Sequence, residues 1–566
     1  MISFALLCLS VLGAQEPARS VTLVHIGDVH GHLVPRPDLR AGAGKTVGGL
    51  ARVAGEIGAI RAVHRDPVLL INTGDAVQGS AEALFTRGGA LVEAMNMLGI
   101  DASTPGNWDY TYGTARFRET FVGESKHPPL ANWHQLAANL HDGAAGGPAI
   151  LPPYRLIETG GLRVGIIGLT TTRGVPIMGP DVTRGFVFST GDAELPRLMR
   201  ELREEKRADL IVVTSEQELA NNIRLAETYP GVDVILSADM HERTERPIVT
   251  RNGTIIVEEG QDGAAVGELT LEVTGKRVSK WKWTSHVIGP GTPEDPAVAR
   301  RVAELRAPFL RAAFNASMRN PVNGVPLRAP LDSVIGYTSV PLLRAAFSDE
   351  ASPGVIEGSS HDFIADAMRA ESHADVAILR GFRYGTQVAP GAITLGDLYH
   401  FLPIGGRVAR VSAVSGAQLR DVIESCLTGV FDPDPRNWTG GWLHGFSGVT
   451  FDLDVSRPSG QRASNIRVGG KALDLRVTYS VAGFWFASEP RALNGCPTCI
   501  LPAARVEPIA GEHGEVLDAT DIVWRYLSSL PDRTARPVLG RIRLLRPLPA
   551  ARYGVRVMQP LPAAQP

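Results

Sequence analysis

The sequence predicts two successive α/β units. Three observations carry that expectation: a length of 566 residues, short runs of β-branched and aliphatic residues, and amphipathic helical stretches between those runs. A chain this long exceeds what one hydrophobic core holds, and strands that alternate with helices build sheets covered by helices.

Taken in order, "MISFALLCLSVLGAQEPARS" opens with an apolar run from Ile2 to Leu12, then small residues, then a polar turn. This is the layout of a secretory signal peptide over 1–19, although it lacks a basic start, and Cys8 would be removed with it. A periplasmic or secreted protein is expected. No later segment has the ~18 consecutive apolar residues of a membrane span.

From 20 to 288, "VTLVHIGD", "PVLLINTGD", "RVGIIGLT", "ADLIVVTSE" and "GVDVILSAD" read as buried strands, and "GGLARVAGEIGAIRAV" and "ELPRLMRELREEKR" as helices. Asp28, Asp75, Glu216 and Asp239 each follow a strand closely, at the carboxyl ends where open α/β sheets gather ligands. Residues 289–332, opening on "GPGTPEDP", read as a connector with one charged helix. A second unit is expected over 333–535, with helices at "SHDFIADAMRA" and "GAQLRDVIESCL" and strands at "GVTFDLDV" and "TYSVAGFWFA". An extended tail follows at 536–566.

The composition narrows the partners. With 57 basic and 59 acidic residues the formal charge is −2, which leaves no electrostatic footprint for a nucleic acid. "CPTC" at 496–499 lacks a second CxxC and reads as a loop disulfide or surface thiols, with Cys426 the remaining cysteine. "GAGKT" at 42–46 has Leu39 where a phosphate loop needs its first glycine.

The chemistry is concentrated in four blocks. "GDVHG" at 27–31 supplies Asp28 and His30, "NTGD" supplies Asp75, "GNWD" supplies Asn107, and "SADMHE" supplies Asp239 and His241. Carboxylate, imidazole and carbonyl oxygen are the ligands of divalent metals of intermediate hardness.

In order and spacing these blocks resemble the calcineurin-like metallophosphoesterase domain of bacterial 5'-nucleotidases, and "EGSSHDFIADAMRA…GAITLGDLYHFLPIGG" is similar to that family's C-terminal domain. The resemblance implies a four-layer α/β/β/α sandwich followed by an α/β substrate-binding domain. It further implies one metal on Asp28, His30 and His241, a bridging Asp75, and a second metal on Asn107 and Asp239. Metal-assisted hydrolysis of a small anionic ester, typically a nucleotide, is the implied reaction.

The departures from the family pattern are specific. Glu216, in "TSEQE", and Asp239 stand where the family has histidines, so the second metal position becomes all oxygen. Oxygen-rich sites favour Mn²⁺ or Mg²⁺ over Zn²⁺. Trp108 stands where the 5'-nucleotidases have a histidine that assists the leaving group, and an indole N–H cannot release its proton. Asp109 is the nearest replacement acid. Otherwise the leaving group needs no proton, as for a thiol, and the SoxB-type sulfate thiohydrolases of the same superfamily carry tryptophan here but histidine at the place of Asn107.

On the substrate side, Arg380 and Arg383 in "LRGFRYG" offer guanidinium forks to an anion, and Phe446 and Phe484 fall near the family's two base-stacking positions. Three readings follow: a phosphomonoesterase acting on nucleotides, a thiohydrolase acting on a carrier-protein cysteine, and an anion-binding protein without turnover.

Overall fold

The computed structural model describes residues 17–39, 44–124, 126–241, 243–343, 356–379, 387–403, 407–432, 443–485 and 506–548. Most of the expected leader, with Cys8, and also Arg380, Arg383, Cys496 and Cys499 lie outside the described residues.

The first unit is built on two sheets. One has five strands in the order Arg277–Val287, Ala265–Thr274, Arg19–Gly27, Val68–Thr73, Ala102–Thr104, and its last three run parallel. The other has six, in the order Ile248–Val249, Ile255–Val257, Val234–Ser237, Leu210–Ser215, Leu162–Leu169, Tyr154–Thr159, with four parallel strands in the middle.

The sheets pack face to face. Val21, Leu23, Leu69 and Ile71 meet Val164, Ile166, Leu210 and Val212 between them. The outer face of the first sheet carries Leu50–Val63 and Gly89–Met95, and that of the second carries Glu194–Arg200 and Leu219–Thr228. The result is an α/β/β/α sandwich. Strands buried on both faces need apolar side chains at every position, which is why they read as continuous aliphatic runs rather than alternating ones.

The connector expected at 289–332 is not free-standing. Its helix Pro296–Arg306, capped by Asp295, buries Val298 and Val302 against the helices Leu50–Val63 and Gly89–Met95 that cover the first sheet.

The second unit centres on a five-stranded sheet in the order Gly445–Ser447, Val376–Leu379, Thr478–Trp485, Arg407–Ser415, Val506–Pro508. Helix Gly416–Phe431 packs with the cluster that contains Val376 and Ile378, whereas Ser359–Ser372 and Ala519–Ser529 pack with the one that contains Ala377 and Leu379. The start of the expected tail joins this unit, because Ile542–Leu544 pairs in parallel with Val449–Leu453. Cys426 is buried among Val422, Ile423 and Leu427.

The units also meet. Ala81 and Leu84 of the first share a hydrophobic cluster with Phe363, Leu398 and Tyr399 of the second, and the Arg36 guanidinium is paired with Asp397. Among the described residues, no helix is long and apolar enough to cross a membrane.

Candidate metal centre

Parallel strands deliver their carboxyl ends to one edge of each sheet, and the two edges abut. Thr73 Oγ1 lies 3.0 Å from Thr214 Oγ1 across the sandwich. The loops beyond those ends carry the candidate ligands, and backbone bonds lock the first two together: Asp28 N–H donates to Gly74 O at 3.2 Å and His30 N–H to Asp75 O at 2.9 Å.

The backbone there is unusual. Asp28, His30, Asp75, Asp239 and His241 all have positive φ, between 44° and 91°. A non-glycine residue resists that region, so the surrounding structure must enforce it. Two glycines allow the loops to close. A Cβ on Gly106 would stand 2.2 Å from Asp75 Oδ1, and one on Gly74 would stand 2.3 Å from Gly106 N.

Two groups of ligand atoms result, each spanning no more than 4.8 Å: Asp28, His30 and His241, and Asp28, Asp75 and Glu216. All are buried. His30 Nε2 and His241 Nε2 are 2.9 Å apart, and each lies 3.6 Å from Asp28 Oδ1. Ligand atoms ~2.1 Å from one shared ion, at roughly 90–120° to one another, have those separations. Asp75 Oδ2 is 3.7 Å from His30 Nε2, so its carboxylate faces both groups.

The polar atoms left over fit a cation. Neither oxygen of the fully buried Glu216 has a hydrogen-bond partner, and neither does Asn107 Oδ1. Burial pushes the Glu216 carboxyl well above the ordinary carboxylate range, and repulsion from Asp75, Asp28 and Asp239 adds to the rise. Such a group keeps its charge only beside positive charge, which divalent ions held by these residues would supply. Glu218, two residues on, lies toward Arg173 instead, with Oε2 3.7 Å from Nη2.

Asp239 sits among these residues but is differently engaged. Its Oδ1 accepts from Asn107 Nδ2 at 2.8 Å, its Oδ2 is paired with the Arg173 guanidinium, and its N–H donates to Asp28 Oδ2 at 3.0 Å. The Asn107 amide is thereby oriented with its carbonyl oxygen as the atom left for a metal. Burial by itself disfavours a charged Arg173, but the Asp239 and Glu218 carboxylates outweigh it and hold the guanidinium protonated.

Asp109 is not placed as an acid. Its Oδ1 accepts from the N–H groups of Ala76 and Val77 at 3.0 and 3.2 Å, and its Oδ2 from that of Gly106 at 2.9 Å. It ties the Asp75 loop to the Asn107 loop. Trp108 donates its backbone N–H to Asp75 Oδ1 at 2.7 Å, while its half-buried ring packs on the cluster shared by the two units.

Phe446 and Phe484 correct the expectation of a base clamp. Each is 1% exposed: Phe446 packs edge-on against Phe451 with centroids 5.4 Å apart, and Phe484 lies in the cluster with Leu379 and Val408. Neither ring has a face open to a ligand. Arg173 was not among the expected site residues; it follows the strand Leu162–Leu169 by four residues, where the acids follow theirs by one or two.

Residues 21–243 match the calcineurin-like phosphoesterase family, and residues 334–490 match the 5'-nucleotidase C-terminal domain. Endonuclease YhcR of Bacillus subtilis is 24% identical over 493 residues, which are 84% of this chain and 37% of that protein. The structure is similar to a 5'-nucleotidase precursor from Thermus thermophilus, with a TM-score of 0.76 and 23% identity over 93% of this chain and 99% of that one. It is similar to the sulfate thiohydrolase SoxB of Thermus thermophilus to the same degree, with a TM-score of 0.77 and 20% identity over 94% and 97%. At these identities the likeness is one of fold, and it does not separate the two chemistries.

Proposed function

The chain belongs to the calcineurin-like metallophosphoesterase and 5'-nucleotidase superfamily, and on that premise we propose that it is an exported, dinuclear, metal-dependent hydrolase of phosphate monoesters, with 5'-nucleotides as its substrates. The observation that carries the reading is the pair of buried ligand groups meeting at Asp28, with the Glu216 oxygens and Asn107 Oδ1 unpartnered beside them.

Asp28, His30 and His241 would hold one ion, and Asp75, Glu216 and Asn107 Oδ1 the other. Ions bound there supply Lewis acidity, which acidifies a water and offsets charge developing on the ester. The oxygen-only second group supports Mn²⁺ or Mg²⁺ in that position, and the two imidazoles leave Zn²⁺ admissible in the first. Trp108 N–H and the Asp109 carboxylate fix the loops around Asp75, so the geometry is set before substrate arrives. Arg380 and Arg383 remain candidates for gripping the substrate anion. Export rests on the composition of residues 1–19.

A second reading is favoured by one observation. Asp109 is committed to backbone N–H groups, so neither it nor Trp108 offers a proton to a leaving alkoxide. A thiol, with a pKa of about 8.5, leaves without one. This supports cleavage of a sulfate from a thiol, the chemistry in the name of the thiohydrolase SoxB, with a carrier-protein cysteine as the thiol here.

The test is release of phosphate from 5'-AMP and from an aryl phosphate by metal-stripped protein reloaded with Mn²⁺, with Asp75→Asn run alongside. Turnover of both substrates, lost in the variant, is the expected result. A protein that holds two ions and turns over neither ester would sink the phosphatase reading in favour of sulfur chemistry.

A further inference from the structure

Where the family resemblance calls for an imidazole on the second metal, this chain has a carboxylate whose two oxygens are already occupied. Asp239 Oδ1 holds the Asn107 amide at 2.8 Å and Oδ2 holds the Arg173 guanidinium. Arg173 itself borders the centre and is partly buried. Its side chain is 14% exposed, and it is flanked by Asp239 and by Glu218 at 3.7 Å. Both carboxylates lie against its guanidinium. A buried guanidinium is costly unless paired, and here the pairing also fixes where the charge stands.

The chain Arg173, Asp239, Asn107 puts that fixed cation one carboxylate's width from a candidate metal ligand. At such a spacing a single tetrahedral oxyanion can touch a metal ion with one oxygen and a guanidinium with another. We propose that Arg173 is an oxyanion-binding residue of the metal centre, gripping a non-bridging oxygen of the phosphoryl or sulfuryl group, and that Asp239 is its positioning residue and not a metal ligand. Two neutral imidazole ligands are thereby replaced by one anionic ligand, Glu216, and one ion pair, Asp239 with Arg173. The proposal rests on the hydrolase reading for its kinetic consequence only, because anion binding and metal content are measured without turnover.

The test compares wild type, Arg173→Gln, Arg173→Lys and Asp239→Asn, each stripped of metal and reloaded with Mn²⁺. Three quantities are read: ions per chain by elemental analysis, affinity for inorganic phosphate by calorimetry, and kcat and KM on an aryl phosphate. Arg173→Gln is expected to keep the wild-type metal content and to weaken phosphate binding about tenfold or more. Arg173→Lys should recover part of that loss, since it restores the charge without the fork. Asp239→Asn should keep both ions and bind phosphate less tightly.

Phosphate affinity unchanged in Arg173→Gln at full metal content overturns the proposal. So does loss of one ion in Asp239→Asn, which would make that carboxylate a ligand, and so does a metal-loaded wild type that does not bind phosphate. Should Arg173→Gln fail to fold, Arg173→Lys decides alone, with unchanged affinity the refuting result. A wild type that binds phosphate through Arg173 and hydrolyses no ester leaves this assignment standing while the phosphatase reading falls.

Discussion

Replacing Asp109 with asparagine separates two roles that the same residue could have. In the structure its carboxylate accepts three backbone hydrogen bonds, from Ala76, Val77 and Gly106, at 3.0, 3.2 and 2.9 Å. Asparagine keeps one oxygen, so in either orientation at least one buried N–H faces an amide NH₂. An unsatisfied buried N–H costs about 1–3 kcal/mol, and the bonds that survive lose the strength of a charged acceptor, about 1 kcal/mol each. Burial pushes the Asp109 carboxyl above its ordinary range, so neutralising it relieves part of that cost. The expected net loss is about 2–4 kcal/mol of stability. A weaker metal centre should accompany it, because the loop that slackens carries Asp75. Chemical denaturation and metal titration of Asp109→Asn would both report it. A variant with unchanged stability and metal affinity, but without the alkaline limb of the rate profile, would refute the argument and restore Asp109 as the proton donor.

Other outcomes follow from the packing and the charges. Phe446→Ala and Phe484→Ala should each cost about 3–5 kcal/mol as core truncations, with any kinetic effect equal for 5'-AMP and an aryl phosphate; a KM increase confined to the nucleotide would instead return the ring to the substrate. Glu216→Gln should lower affinity for the second ion about tenfold or more, and Glu216→His should move preference toward Zn²⁺, as competition titrations would show. Asp362, almost wholly buried in helix Ser359–Ser372, is pushed up to about 9 by desolvation despite Arg541 Nε at 3.4 Å. A folded-state value above the unfolded one means that its contribution is fully present below about pH 4 and is lost as pH rises toward 9. The stability of wild type relative to Asp362→Asn should therefore fall between those limits, by up to about 1.4 kcal/mol per pH unit, and a flat difference in denaturation midpoints across that range would contradict it.

The layers of the first unit were legible because burial on both faces writes an unmistakable aliphatic run, and because strand ends are where acids collect. Arg173 lies four residues past its strand, further than any of the acids, so its place in the sequence did not single it out. Asp109 could not be assigned from sequence: its partners at 76 and 77 are some thirty residues away, and no local pattern reveals which backbone N–H groups a folded loop will turn inward. The aromatic residues failed for another reason. A phenylalanine in a strand has one of two faces to choose, and only the packed sheet shows that Phe446 and Phe484 point into the core. Glu216 and Glu218, two positions apart, were separable only by the loop that sends one to Asp28 and Asp75 and the other to Arg173.

The left-handed backbone at Asp28, His30, Asp75, Asp239 and His241 means that aim and identity are specified separately in this centre. The main chain works as a toolmaker's jig: it fixes the line along which each side chain is presented, and whatever is mounted there inherits the line. At 239 the side chain can be exchanged without rebuilding the jig, because no ladder hydrogen bond or helix turn depends on it. Such a scaffold can be retooled in few mutational steps, changing which ions it takes and which leaving groups it tolerates, while its folding problem stays the same. Substitutions at 107, 108, 173, 216 and 239 are therefore the place to look for a change of reaction within an unchanged architecture.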